Sequence, residues 1–312
     1  MTTRSSRLRS LGPAFIVLAT SLMALQDVMV KIFSDSLPLW QLFFLRSIAL
    51  IPFLLWMANK NKISWRDVCG VAVNLRSLLI VAMYVAFYAA MPSLDLPVIA
   101  ACYYTAPLII TALSAAILKK KISKTQLALM LIAFLGVLVV LRPDKYSFSL
   151  FILIPFAAAL FYATSAILTR SEVSHISPLA ILLSLNVIFV IVGGIGIAVC
   201  FALDSAESYP FLLTPWQPLE AENVGTTILL GLISLAIHYL LARAYQLGPT
   251  TVVAGLDFSY LAFASLWSFL LMSLTPEIHV LVGTAMIAGA GLVTVLMSTS
   301  APLTGNRQPL TD

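Results

Sequence analysis

Residues 178–203 read PLAILLSLNVIFVIVGGIGIAVCFAL, an uninterrupted apolar stretch without a charged side chain. A helix needs about 20 mostly apolar residues to cross the hydrocarbon core of a bilayer, so this stretch can span one. Further apolar runs lie on both sides of it, each bounded by charged residues, Pro or Gly. The ten runs are 13–33, 39–58, 68–91, 97–118, 125–141, 147–169, 178–203, 224–247, 252–274 and 278–298. They predict an all-α integral membrane protein with ten transmembrane helices.

The composition of the whole chain agrees with this pattern. Of its 312 residues, 61% are hydrophobic and 10% are charged, against about a quarter charged in soluble domains, which excludes a soluble globule. The longest polar stretch between runs, 204–223, is too short for a separate catalytic domain. Cys69, Cys102 and Cys200 show no metal-ligand or disulfide spacing, and no GxxxxGK[ST] motif is present. We therefore expect no cofactor, no metal and no nucleic-acid partner.

Basic residues are distributed unevenly between alternate loops. If the N-terminus lies in the cytoplasm, about 12 of the Lys and Arg residues fall on that side, and only Arg142 and Lys145 fall in loops on the other. The positive-inside rule then predicts a multi-pass protein of the inner (plasma) membrane with cytoplasmic tails at 1–12 and 299–312.

The chain also repeats itself at a displacement of about 155 residues, over the third to fifth runs and the eighth to tenth. Tyr84 then aligns with Tyr239 and Gly136 with Gly291, and the run boundaries coincide. This predicts two five-helix repeats, 13–141 and 147–298. Because five is odd, the repeats have opposite orientations in the membrane, an arrangement typical of secondary transporters that bind substrate near the midplane.

Several short motifs carry a family resemblance. They are LRS at 75–77, FYA at 87–89, LPVIA at 96–100, YTAP at 104–107, RAY at 243–245, LDFSY at 256–260 and TPE at 275–277. With them, the chain resembles the drug/metabolite transporter superfamily in its ten-helix EamA-type branch. QDVMVK at 26–31 and FFLR at 43–46 are most similar to the subgroup of S-adenosylmethionine and riboflavin carriers. The resemblance implies transport and leaves the substrate open; KKK at 119–121 departs from the acidic residue usual in the family.

Charged residues inside the predicted spans are candidate substrate-binding groups, since each costs at least about 2.5–3.5 kcal/mol at a helix centre. Arg46 and Arg76 lie deep in the second and third spans, and the planar guanidinium suits a carboxylate or phosphate. Asp257, in the ninth span, is a candidate proton-coupling site. The structural alternative pairs the arginines with acids or helix carbonyls, and pairs Asp257 with Arg243 of the eighth span.

Two further features of the spans could serve coupling or binding. Asp27 and Lys31 lie one helical turn apart, so they either form an ion pair or leave Asp27 facing a central cavity. His238 could relay protons or bond neutrally to a neighbouring helix. Tyrosines within the spans could stack on a planar or cationic substrate, or simply pack the core. These tyrosines are Tyr84, Tyr88, Tyr104, Tyr239 and Tyr260.

Together these features predict a secondary active transporter that moves a small polar metabolite by alternating access. An amino-acid-like or zwitterionic metabolite fits the mixed charges, with S-adenosylmethionine as a candidate. The alternatives are an exporter of a larger amphipathic metabolite or drug, and a riboflavin or dicarboxylate carrier. A channel or an intramembrane enzyme is less favoured, because the acids and histidines are scattered. The expected partners are the substrate, the bilayer and a proton or counter-solute; the protein is expected to be a monomer or a homodimer.

Overall fold

The computed structural model describes residues 2–33, 38–90, 102–119, 122–141, 153–203, 210–218, 221–273 and 277–300. Within these ranges the regular secondary structure is entirely helical, with no β-strand. The helices in chain order are α1 (Thr2–Phe33), α2 (Leu39–Lys60), α3 (Trp65–Val68), α4 (Val71–Ala89), α5 (Ala106–Ala116), α6 (Lys124–Leu141), α7 (Leu153–Ser171), α8 (Pro178–Leu203), α9 (Pro210–Leu213), α10 (Ala221–Leu247), α11 (Thr250–Asp257), α12 (Ser259–Met272) and α13 (Ile278–Ser300).

Six helical segments of the described chain are long and apolar enough to cross a bilayer. They are Leu11–Met29, Leu39–Lys60, Leu153–Ser171, Pro178–Ala202, Val224–Leu247 and Thr250–Met272. Four shorter apolar helices, Val71–Phe87, Ala106–Ala116, Lys124–Val139 and Ile278–Val293, fall in the other four predicted runs. The prediction of an all-helical, multi-pass membrane protein is confirmed, and ten spans in two inverted repeats stays a prediction.

The helix boundaries differ from the predicted ones at two places. The first helix begins at Thr2 rather than near residue 13. The Arg and Leu residues between positions 2 and 13 favour a helix even though this segment is too polar to enter the bilayer. The ninth predicted span is divided into α11 and α12, which meet at the fully buried Phe258. Neither Pro nor Gly stands at this junction, so no local breaker predicts it.

The contacts between helices occur in matched pairs across the two halves of the chain. Helix α1 packs on α10 as α7 packs on α4, and α1 packs on α11 and α12 as α7 packs on α5. Likewise α2 contacts α10 as α8 contacts α4. The remaining large interfaces join equivalent helices of the two halves: α2 with α8, α6 with α13, and α5 with α11.

Glycine allows two of these helix pairs to approach closely. A Cβ on Gly12 of α1 would lie 2.4 Å from the Cα of Gly248, just after α10. A Cβ on Gly196 of α8 would lie 2.1 Å from the indole of Trp40 on α2. Small residues at such crossings let helix backbones pack without a side chain between them, which is how helices associate in membranes.

The segment before α10 packs on the start of α2. The Trp40 indole donates to the carbonyl of Leu212 at 2.6 Å. Gln41 donates to the Gln217 carbonyl at 2.8 Å and accepts from the Gln217 backbone N–H at 2.9 Å. Residues 210–218, which the sequence places in a polar loop, are therefore fixed against the helix that carries Arg46.

Candidate functional site

Arg46 lies in the interior, enclosed by aromatic rings. Its side chain is 5% exposed. The guanidinium carbon lies 4.5 Å from the centroid of Phe189, 5.3 Å from that of Phe43 and 5.7 Å from that of Tyr84. Phe43 precedes Arg46 by one helical turn on α2, while Phe189 and Tyr84 come from α8 and α4. Cation–π contacts of this kind stabilise a desolvated guanidinium, and they hold the charge in a defined position.

Arg76 of α4 is 2% exposed, and one edge of its guanidinium is anchored. Its Nε donates to Thr169 Oγ1 at 3.3 Å, and the Thr169 hydroxyl donates to the carbonyl of Ser165 at 2.7 Å. The Ser165 hydroxyl in turn donates to the Arg76 carbonyl at 3.3 Å. The buried Nη1 forms no hydrogen bond with any described residue. The guanidinium is thus oriented by α7 and keeps donors to spare.

His238 of α10 lies between the two arginines. It is 3% exposed, and its ring is 6.0 Å from that of Tyr84 and 6.3 Å from that of Phe189. Both the Arg46 and the Arg76 charges act on the imidazole. Neither ring nitrogen is hydrogen-bonded within the described part of the chain. The prediction that His238 bonds to a neighbouring helix is therefore wrong; aromatic rings surround it.

Asp257 is the last residue of α11 and is 7% exposed. It lies near the hydroxyls of Tyr162 and Tyr245, whose rings are 6.4 Å apart. Neither hydroxyl meets hydrogen-bond geometry with a described residue. The expected ion pair between Asp257 and Arg243 is not formed, because the carboxylate faces tyrosines instead.

Asp27 of α1 accepts a hydrogen bond from the Tyr260 hydroxyl of α12. Its side chain is exposed. About two helical turns earlier on α1, Thr20 shares a hydrogen bond of 2.8 Å with Ser259. The side chain of Lys31 lies outside the described residues, so the predicted Asp27–Lys31 pair is not addressed.

A row of tyrosines joins the two acidic residues. The ring of Tyr260 is 5.6 Å from that of Tyr104, which is 5.7 Å from Tyr103, which is 5.9 Å from Tyr162. Tyr162 interacts with Arg76, and Tyr84 interacts with both Arg46 and Asp27. The row that begins at Asp27 is therefore connected back to Asp27 through Tyr84. We call this set the polar ring: Asp27, Arg46, Arg76, Tyr84, Tyr103, Tyr104, Tyr162, His238, Asp257 and Tyr260.

Most side chains that the sequence singles out lie in the polar ring. Tyr239 does not; it is 38% exposed, on the outside of the helices. Arg243 is half-buried and apart from Asp257, and the side chain of Tyr88 lies outside the described residues. Sequence reasoning missed Tyr162, whose FYA context at 161–163 repeats the FYA at 87–89. That repeated tripeptide is the signal that could have found it.

The ring suits binding rather than bond-making. It brings two guanidinium groups, two carboxylates and several tyrosine hydroxyls into one interior. No group of three or more His, Cys, Asp or Glu residues capable of holding a metal occurs in the described ranges. Charged groups inside a membrane protein mark a substrate or ion pathway. The class that this arrangement defines is a solute transporter with many transmembrane helices.

Known proteins identify the family within that class. Residues 10–142 match the EamA-like transporter family. The chain is 23% identical over 286 residues to the pseudopaline exporter of Pseudomonas aeruginosa strain UCBPP-PA14, covering 89% of this chain and 94% of the exporter. It is 24% identical over 184 residues to the riboflavin transporter of Vibrio cholerae, covering 59% of this chain and 57% of that protein. The resemblance found in the sequence is confirmed: residues 10–142 match an EamA-like transporter domain, and the named relatives are transporters rather than enzymes.

A solved crystal structure shares the fold. It superposes with a TM-score of 0.76 at 15% identity, covering 94% of this chain and all of that one. At this identity the likeness concerns the arrangement of helices alone.

Proposed function

We propose that the protein is a secondary active transporter that moves a small zwitterionic, amino-acid-like metabolite across the inner membrane. The observation that carries this proposal is the charge pattern of the polar ring. Arg76 and Asp257 are both buried, and no ion pair joins them. Burying one charge without a partner costs several kcal/mol even after relaxation. A ligand with an acidic and a basic end would offset both costs at once.

The aromatic part of the ring supports recognition of the rest of such a molecule. Tyr84, Tyr103 and Tyr260 are only partly buried, so part of each side chain is accessible to a ligand. Tyrosine offers a flat apolar face and one hydroxyl, which suits a planar or cationic group. S-adenosylmethionine has an amino-acid end, a sulfonium and an adenine, and is a candidate substrate on these grounds.

The matched helix contacts support an alternating-access mechanism. Equivalent helices of two inverted repeats, 13–141 and 147–298, would make equivalent contacts, and those between α1 and α10 and between α7 and α4 are such a pair. The polar ring draws side chains from both repeats, which is where inverted-repeat transporters bind substrate. Rocking one repeat against the other would expose the ring to each side in turn. Both termini are then cytoplasmic by the distribution of basic residues.

The energy for transport would come from a gradient of protons or of a counter-solute. Asp27 and Asp257 are the acidic groups of the ring that such a coupling would use. Asp27 has the accessible surface that exchange requires, and Asp257 has neighbouring tyrosine donors.

Export of a larger amphipathic anion is the second candidate. The similarity to the pseudopaline exporter extends over 94% of that protein, and Arg46, Arg76 and His238 together give the ring a cationic side. A multiply acidic molecule would occupy that side without needing Asp257. Retained transport by an Asp257→Asn variant would favour this second candidate.

A binding screen with purified protein tests the proposal. A ligand that binds only the folded state raises the melting temperature, so amino acids, S-adenosylmethionine, riboflavin and dicarboxylates are compared. We expect a selective rise that disappears in Arg46→Ala and persists in the control Tyr239→Phe, which lies outside the ring. A selective ligand whose effect survives Arg46→Ala would place its site elsewhere.

A further inference from the structure

We infer that Arg76, His238 and Tyr162 form the subsite that holds a carboxylate of the transported metabolite, and that Tyr162 links this subsite to Asp257. The inference rests on the proposed function, since it assigns parts of the same ring to the two ends of one ligand. It adds Tyr162, which is not among the residues predicted from the sequence, and gives His238 a binding role.

The first argument is the set of unused donors. Arg76 Nη1, both nitrogens of His238 and the Tyr162 hydroxyl are buried, and none bonds to a described residue. Arg76 interacts electrostatically with both other side chains, and hydrogen bonds to Thr169 and from Ser165 join it to α7, the helix that carries Tyr162. A polar group buried without a partner costs free energy, so three adjacent ones are a burden that packing alone does not explain. A carboxylate placed among them would accept from Nη1, from the Tyr162 hydroxyl and from the single N–H of a neutral imidazole.

The second argument is the orientation of the guanidinium. Thr169 holds the Nε edge at 3.3 Å, which fixes the orientation of the guanidinium and leaves Nη1 without a hydrogen bond to a described residue. A fixed guanidinium presents parallel donors to a carboxylate and loses little entropy on binding it. Arg46, by contrast, is enclosed by Phe43, Tyr84 and Phe189. Its charge therefore acts on a ligand through the electric field rather than through direct hydrogen bonds.

The third argument concerns the charge of the bound group. The subsite offers one guanidinium and an imidazole, and Asp257 lies near Tyr162. A singly charged carboxylate matches one guanidinium. A phosphate dianion would place a second negative charge near the Asp257 carboxylate, and like charges in a low-dielectric interior repel strongly.

Tyr162 lies between the two ends of the site and has one hydrogen to donate. It lies near Asp257 and also near Arg76. A tyrosine hydroxyl donates one hydrogen bond at a time. When a carboxylate at Arg76 takes that hydrogen, Tyr162 cannot offer it to Asp257, and the Asp257 carboxylate is left to bind the cationic end of the same molecule. The two ends of a zwitterion are thereby recognised together.

Thermal stability in the absence of substrate separates a binding role of Arg76 from a structural one. We compare Arg76→Leu with Arg170→Leu, where Arg170 at the end of α7 donates to the carbonyl of Gln246. Burying a charge without a partner costs free energy, so replacing it with an apolar residue removes that cost. We expect Arg76→Leu to keep or raise the melting temperature and Arg170→Leu to lower it. A loss for Arg76→Leu equal to that of Arg170→Leu would overturn the inference.

Transport by proteoliposomes tests the chemistry of the ligand. Liposomes with the full chain and empty liposomes are incubated with a bacterial metabolite extract, and the retained compounds are identified by mass spectrometry. We expect carboxylates bearing a basic group to accumulate. Arg76→Leu should reduce their accumulation at least about tenfold, as loss of a charge-assisted hydrogen bond does, and Tyr162→Phe should reduce it several-fold.

The control is Tyr245→Phe, which removes the other hydroxyl near Asp257 and leaves the Arg76 subsite intact. Accumulation of compounds that lack a carboxylate, phosphate esters included, would overturn the inference and leave transport established. Equal losses in Tyr162→Phe and Tyr245→Phe would overturn the special role of Tyr162. If wild-type liposomes retain nothing beyond the empty ones, it is the proposed function that fails.

Discussion

Replacing Gly12 with alanine perturbs a close backbone approach between α1, in the first half of the chain, and Gly248 in the second. The new Cβ would lie 2.4 Å from the Cα of Gly248 and 2.6 Å from its nitrogen. Carbon atoms in contact are about 3.5–4.0 Å apart, so the backbones must separate by about 1 Å. Because the opposing atoms belong to the main chain, no side-chain rotation relieves the clash.

The magnitude follows from two opposing effects. Overpacking of this kind costs about 1–3 kcal/mol. Alanine regains up to about 1 kcal/mol over glycine in a helix interior. The net loss of folding free energy is about 1–2 kcal/mol, and at about 2–4 °C per kcal/mol the melting temperature should fall by several degrees.

The matched control is Gly225→Ala. Gly225 lies in α10, and its added Cβ would meet nothing within 4 Å, so only the gain in helix propensity remains. Both variants are heated in detergent, and the surviving folded fraction is measured by size-exclusion chromatography with fluorescence detection. We expect Gly12→Ala to melt below wild type and Gly225→Ala at or above it. Equal melting temperatures for the two variants would refute the close helix crossing.

Three further predictions concern the ring, the energy source and the segment that packs on α2. Arg46→Ala and Asp257→Asn should abolish uptake while the protein still reaches the membrane and elutes as a single species; normal uptake by both would remove the proposed site. A protonophore should reduce accumulation in cells if protons drive transport; undiminished exchange would assign the coupling to a counter-solute. Gln41→Ala removes both hydrogen bonds to Gln217 and should cost about 1–3 kcal/mol, measured as a lower melting temperature; no loss would show that residues 210–218 do not depend on them.

The sequence was sufficient for the helical membrane fold because long apolar runs leave few alternatives. The run at 178–203 can only be a helix across a bilayer or a deeply buried one. Six spans and four shorter apolar helices in the ten predicted runs follow from hydrophobicity alone. The same reasoning places deep charges such as Arg46 and Asp257 in the interior, since the bilayer would exclude them.

Contacts between side chains were less predictable, because they depend on how helices distant in sequence face one another. Asp257 and Arg243 lie on successive spans, and proximity in sequence favoured a pair; the structure turns Asp257 toward Tyr162 and Tyr245 instead. Tyr239 and Tyr84 align in the repeat, yet Tyr84 lies in the ring and Tyr239 is exposed. Periodicity gives the spacing of residues on a helix, whereas the partner of each face is set by packing.

The junction between α11 and α12 divides one predicted span into two shorter helices. Helix α11 ends with Asp257, near Tyr162 and Tyr245. Helix α12 carries Tyr260 in its first turn, and the Tyr260 hydroxyl donates a hydrogen bond to Asp27 on α1. A small bend at Phe258 would change the distance between Asp257 and Asp27 without bending any other helix. The angle between α11 and α12 would therefore set the length of the molecule that fits between Asp257 and Asp27. The backbone of Phe258 lies where that angle can change.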